Sequence, residues 1–256
     1  MRKLIIITSA ASLGFLLLFF FIARAEQCNT RTVFLNGQLT TDADGWLDEE
    51  GEQVYNVSSR RLAQAINDIA EEKKIKAFIL DVDSNGGSVV AAEEIFDAIA
   101  KLEIPTAAVV GDGSFSAAYT AMSGADKIFL KRSSQVGAIG VTGSYLQKYE
   151  KNLKEGIIFQ ELTSAKFKDL LNPNKQLTTE EKRLIQGIID DLHANVVATI
   201  AEGRHMTVGE VGALADGSIY VGEKAIAKKL ADNIGGIAEA KEYLKGEIGK
   251  EIKICE

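Results

Sequence analysis

Proline, histidine and cysteine are nearly missing from this chain of 256 residues, with two of each, and tryptophan occurs once. So little proline excludes a stiff Pro-rich linker. Two histidines (His193, His205) and two cysteines (Cys28, Cys255), with no ligand spacing among them, speak against a metal centre. No G-x-x-x-x-G-K-[ST] segment occurs, which argues against a phosphate-cradling loop. After residue 26 there is no internal repeat, low-complexity block or long linker. Basic charge is also short. The formal charge is −7, and residues 1–25 hold Arg2, Lys3 and Arg24 with no acid, so residues 26–256 carry −10. An acidic body repels phosphate backbones, which argues against a nucleic-acid partner. What remains is 46% hydrophobic and 25% charged, a balance that excludes disorder for the bulk and suits one large domain.

The uncharged run from Leu4 to Ala23 is long enough, at about 1.5 Å per helical residue, to cover a bilayer core of about 30 Å. Phe15 to Ile22 leave it no polar face. A secretory leader normally has a shorter apolar stretch, yet Ala23-Arg24-Ala25 fits a cleavage site. The favoured reading is an uncleaved anchor in residues 1–25, with cleavage before Glu26 as the other. Cations before the run and an acid after it put the N-terminus in the cytoplasm and residues 26–256 on the extracytoplasmic side. An oxidising compartment permits a Cys28–Cys255 bond, since chain ends often meet; two free thiols are the alternative.

Residues 26–256 read as strands alternating with helices. Strands are expected at Arg31–Leu39, Lys76–Val82, Thr106–Val110, Lys127–Leu130 and Ile157–Leu162. The first buried run breaks at Asp83-Ser84-Asn85-Gly86-Gly87 and the next at Gly111-Asp112-Gly113. Helices are expected over 58–73, with Leu62, Ile66, Ile69 and Ala70 on one face, over Val89–Leu102 and over Ser116–Ser123. Thr178 and Glu181 spell a capping box for a long helix that Gly203 can close in a left-handed conformation. Three more short helices follow at 207–214, 222–231 and 237–245. This order predicts an α/β fold with parallel pairing and a helical C-terminal part.

Ligands collect at the carboxyl ends of parallel strands. Ser84-Asn85-Gly86-Gly87 can turn backbone N–H groups towards developing negative charge, or be a plain strand-to-helix turn. Gly113-Ser114-Phe115-Ser116-Ala117-Ala118-Tyr119 sets a serine between strand and helix among small neighbours, as a nucleophile or as a helix N-cap. A nucleophilic serine needs a base. His193 lies within the long helix and His205 in a loop, so lysine becomes the candidate, as in Ser–Lys variants of the triad. Lys166 and Lys168 alternate in Ser164-Ala165-Lys166-Phe167-Lys168-Asp169, and either can also be a solvated surface residue. A base lysine must be neutral, so its ordinary pKa near 10.4 has to fall.

In series, these segments resemble the signal peptide peptidase A family, membrane-associated serine peptidases with a Clp-protease/crotonase-like fold. The resemblance covers roughly residues 75 to 236. Ser84-Asn85-Gly86-Gly87 is similar to the family's S-P-G-G turn, and Ser116-Ala117-Ala118-Tyr119 to its S-G-G-Y. Ala125-Asp126-Lys127-Ile128-Phe129 follows at the family's distance, which implies Ser116 rather than Ser114 as nucleophile. Ser164 to Asp169 with Asn172-Pro173 resembles the lysine segment and implies Lys168 rather than Lys166. Gly203-Arg204-His205-Met206 and Asp216 to Gly222 resemble later landmarks. The sequence departs from the family at Asn85, where proline is usual, at Ala117-Ala118, where two glycines are usual, and at Ala138, commonly serine.

The resemblance implies acyl transfer with no cofactor and no metal. Lys168 deprotonates Ser116, and the N–H groups of Gly87 and Ala117, with Gly86 as alternate, hold the oxyanion. It also implies a homo-oligomer whose serine and lysine come from neighbouring subunits, and peptide substrates such as leftover signal peptides. Two alternatives keep the fold: a crotonase-like acyl-thioester enzyme, and a membrane-tethered scaffold with an impaired site.

Overall fold

The computed structural model describes residues 28–42, 46–47, 53–54 and 56–255. The apolar run 4–23, and with it the expected membrane helix, lies outside these residues. Among the described residues no helix is long and apolar enough to cross a membrane.

The chain alternates strands and helices as β1 (Thr30–Thr40), β2 (Trp46–Leu47), β3 (Gln53–Val54), β4 (Asn56–Ser58), α1 (Ser59–Glu71), β5 (Ala77–Gly87), α2 (Val89–Ala100), β6 (Thr106–Phe115), α3 (Ala117–Met122), β7 (Lys127–Leu130) and β8 (Gln135–Gly137). Then follow α4 (Tyr149–Lys154), α5 (Thr179–Gly203), α6 (Val208–Gly212), β9 (Ile219–Val221), α7 (Glu223–Ala227), β10 (Asn233–Ile234) and α8 (Ile237–Ile248). The main sheet runs β10-β7-β6-β5-β1-β4, with β8 beside β6 and β9 beside β8. Its pairings are parallel except β8–β9. The expected α/β class with a mostly parallel sheet is what forms.

Burial explains which runs became central strands. Ala77 to Leu80 are fully buried because alternate side chains serve two cores. Phe78 and Leu80 face the core under α1, α2 and α3, while Ala77 and Ile79 join Leu244 of α8 on the other face. Such double coverage selects a continuous apolar run over an alternating one.

Several expectations need correction. β5 does not stop at Val82: it shifts register between Val82 and Ser84 and continues to Gly87, because β1 runs on beside it. β6 likewise passes Val110 and ends at Phe115. On α1, Ala70 is exposed and Ala63 packs on the core instead. Gly203 ends α5 without a left-handed turn; His205 takes that conformation, φ 52°. The glycine is needed for close packing, since a β-carbon there would lie 2.3 Å from the Ser123 carbonyl oxygen. Residues 157–162 form no strand and are exposed, with no sheet edge beside them.

The two ends of the described residues do meet. Cys28 and Cys255 form a disulfide, and the last residues run parallel to the start of β1, where Cys255 N–H donates to the Thr30 carbonyl.

Candidate active site

The extended halves of β5 and β6 stay paired beyond their buried parts, with Ser84 opposite Ser114. Two residues further along each strand, this register brings Gly86 against the Ser116 turn. A β-carbon on Gly86 would sit 2.6 Å from the Phe115 carbonyl oxygen, 2.9 Å from the Ala117 nitrogen and 3.1 Å from the Ser116 β-carbon. With φ at +95° as well, only glycine fits. Gly87 faces the other way, its absent side chain replaced by the backbone of Leu39.

Among the described residues, Ser116 differs from every serine or threonine whose side chain caps a helix. Ser58, Ser88, Thr178 and Thr207 are extended, and each side chain accepts an N–H from its helix. Ser116 has φ 51° and ψ −123°, and its hydroxyl caps nothing. A non-glycine residue in such a conformation is strained, and strain of this kind marks nucleophile turns between strand and helix. Its backbone holds the turn: Ser116 N–H donates to the Gly137 carbonyl at 2.8 Å, and Thr120 N–H donates to the Ser116 carbonyl at 3.1 Å. The half-buried hydroxyl is therefore uncommitted, beside Ala117 at the opening of α3, where the first N–H groups lack helical partners.

Two further side chains support the turn. Buried Ser84 donates its hydroxyl to the Gly37 carbonyl and accepts the Gly86 N–H at 3.1 Å, so that N–H already has a partner. Asp83 accepts the Gly113 N–H at 3.2 Å, tying β5 to the segment that leads into the serine. The S-N-G-G spelling pointed at Ser84; nothing pointed at Asp83. Ala138 has φ 48° and its N–H donates to the Ser218 carbonyl, so residues 216–218 brace the Gly137 carbonyl that receives Ser116. Asp216 closes that brace by accepting the Ser218 N–H, and bonding to Ser218 holds its carboxyl below the usual range.

A cleft of about 420 Å³ opens beside this turn, lined by Gly37, Gln38, Asp83, Ser84, Asn85, Gly86 and Gly87. Asp83 also borders a second cavity of about 470 Å³ with Asp81, whose carboxyl is pushed up by burial and then by the Asp83 charge. Among the described residues no cluster of three or more histidine, cysteine or acidic side chains could hold a metal.

The lysines lie in the stretch between α4 and α5. Lys166 forms an ion pair with Glu180 and lies 5.3 Å from the Phe167 ring centre. Exposed Lys168 makes no ion pair among the described residues, and no hydrogen bond joins it to Ser116 within one chain. The structure thus brings Ser116, Ala117, Gly86 and Gly87 together around one turn and leaves Lys168 without a bond to them.

A model of peptidase family S49 matches residues 98–251, which include Ser116 and Lys168. Among curated proteins, one of Synechocystis sp. provisionally named a protease is 34% identical, over 68% of this chain and 63% of its own length. A provisionally named signal peptide peptidase SppA of Enterococcus faecium is 34% identical over 70% of this chain and 53% of its own. A provisionally named protease of Methanocaldococcus jannaschii is 31% identical over 73% and 61%. The chain therefore spans between about half and three-fifths of the length of these relatives.

Proposed function

Because this chain belongs to peptidase family S49, the signal peptide peptidase A family, we propose that it is a membrane-associated serine endopeptidase. On this reading it degrades cleaved signal peptides or other unfolded segments. The observation that carries the reading is the strained Ser116 turn, whose hydroxyl bonds to no helix N–H while Gly86 and Ala117 crowd around it.

The chemistry is acyl transfer. Neutral Lys168 takes the Ser116 proton as the oxygen attacks a peptide carbonyl. The N–H groups of Gly87 and Ala117 receive the oxyanion. The prior bond from Gly86 N–H to Ser84 supports keeping Gly86 as the alternate donor. The Lys168 ammonium returns its proton to the departing amine. Lys168 then takes a proton from water, which adds to the acyl-enzyme, and the proton goes back to Ser116 oxygen as the bond breaks. Of the two lysines, Lys168 suits this role better: Lys166 is engaged in an ion pair with Glu180, and no carboxylate pairs with Lys168 among the described residues.

The site is completed in a homo-oligomer, where Lys168 of one subunit reaches Ser116 of the next. Two observations support this. Serine and lysine are not bonded within one chain, and the lysine-bearing stretch exposes Leu146, Ile158 and Leu162 almost fully. Residues 4–23 anchor the protein with its body on the extracytoplasmic side, and the Cys28–Cys255 bond suits that oxidising location.

A fluorophosphonate probe tests the function. Labelling that disappears in Ser116→Ala is the expected result. An assembled protein that never labels overturns the peptidase reading and leaves an impaired scaffold, the reading that Ala138 favours by lacking the serine hydroxyl usual in the family.

A further inference from the structure

The stretch from 142 to 178 has little apolar core of its own. Its inward side chains are polar and interlock. Asn152 donates to the Asn174 side-chain oxygen at 3.0 Å, Asn172 donates to both Asp169 oxygens at 3.0 and 3.1 Å, and Lys148 N–H donates to the Pro173 carbonyl at 2.7 Å. At the centre stands Lys175. Its ammonium donates to Glu161 and to Glu181, each at 2.9 Å. Its side chain is only 14% exposed and that of Glu181 only 4%. Glu181 accepts the Thr178 N–H with its other oxygen, so it is fixed to the first turn of α5. These bonds, first to Glu161 and then to Glu181, raise the pKa of Lys175 above the usual lysine value, so it stays charged and acts as a tie.

Glu161 and Lys175 lie on either side of Lys168. One ammonium therefore closes the loop that carries the base and hangs its base on the rigid start of a 25-residue helix. We propose that Lys175 is a positioning residue: through Glu161 and Glu181 it presents Lys168 to the nucleophile. This rests on the Ser–Lys reading above. Lys168 N–H donates to the Ala165 carbonyl at 3.0 Å, but among the described residues its side chain makes no hydrogen bond or ion pair, so its reach is set by where the loop is tied.

A misplacement of about 1 Å can cost about 10²-fold in rate. In the full assembled chain, Lys175→Met is expected to slow fluorophosphonate labelling of Ser116 by about that factor. Lys175→Arg is expected to restore most of it. The Ser–Lys reading requires the assembled site to keep the base neutral, so an amine drawn away from that site should move the labelling midpoint to higher pH. Partial unfolding would lower the labelled amplitude without moving that midpoint. Glu161→Gln is the second variant, carrying the test alone if Lys175→Met does not fold, with the same upward midpoint shift expected. Parental rate and midpoint in both variants, with Lys168→Ala silent, overturn the inference and keep the dyad. Parental labelling in Lys168→Ala overturns the dyad itself, and the inference falls with it.

Discussion

Residues 77–80 and 157–162 are both short segments rich in apolar side chains, wholly so in the first and in four of six positions in the second, and they meet opposite fates. Ala77 to Leu80 lose all exposure between two cores, whereas Ile158 stays 78% and Leu162 95% exposed. The first run has β1 and β6 on its two edges and helices on both faces. The second has neither, and the ties around it are polar. The body is thus a unit stabilised by its own burial, and it contains the nucleophile. The stretch that bears the lysine is held in shape by hydrogen bonds and presents apolar side chains outward, as a surface that another chain can cover.

The difference can be broken from either side. The largest effect is expected at the nucleophile turn. Gly86→Ala would force a methyl group towards the Ala117 N–H and the Phe115 carbonyl, and kcat should fall by about 10²–10³-fold, the cost of losing an oxyanion donor. Circular dichroism should still report a folded protein; full activity would mean that this N–H plays no part.

Next come paired truncations. Leu80→Ala should destabilise the body by about 2–5 kcal/mol in denaturant unfolding. Leu162→Asp should change the stability of a single chain by no more than about 0.5 kcal/mol. It should instead shift sedimentation towards smaller species and lower activity. Equal losses of stability would erase the distinction between the two regions.

Cys28→Ser removes a cross-link between residues 227 apart in sequence, and should cost roughly 2–4 kcal/mol of unfolding free energy. The nucleophile turn is built from β5, β6 and β8, so the rate of folded protein should hold.

The smallest effect is electrostatic. Glu181 and Glu210 are capping-box acids, and Glu239 accepts the Gly236 N–H at the start of α8; all three carboxyls are held low, chiefly by backbone N–H groups at their helix starts, and Glu210 is brought down to about 2. A carboxyl with a lower pKa folded than unfolded binds more protons when unfolded, so stability rises with pH across that interval. The contribution is present above about pH 4.3 and lost as pH falls towards 2. A Tm series over this range should slope less in Glu210→Gln.

Much of this was legible in the sequence, and the gaps have physical causes. Central strands could be read because coverage on both faces leaves an unbroken apolar run. The capping box at Thr178 and Glu181 is local chemistry, and it formed as spelled. The ends of β5 and β6 were misread because glycines that usually stop strands were kept in register by neighbouring strands. The run at 157–162 misled because periodicity reports an apolar face without saying what will cover it. Around the site, the ordered motifs led to Ser116 and its glycines. Nothing local marked the strain at Ser116, the Asp83 tie or the Lys175 bridge, because each depends on partners brought together by the fold.

The central claim is that the nucleophile of one subunit is served by the lysine of another. Ser116→Ala and Lys168→Ala should each be inactive alone, and the two, unfolded together and reassembled, should recover part of the parental peptidase rate. Two inactive variants that stay inactive in demonstrably mixed assemblies would contradict a site shared between subunits.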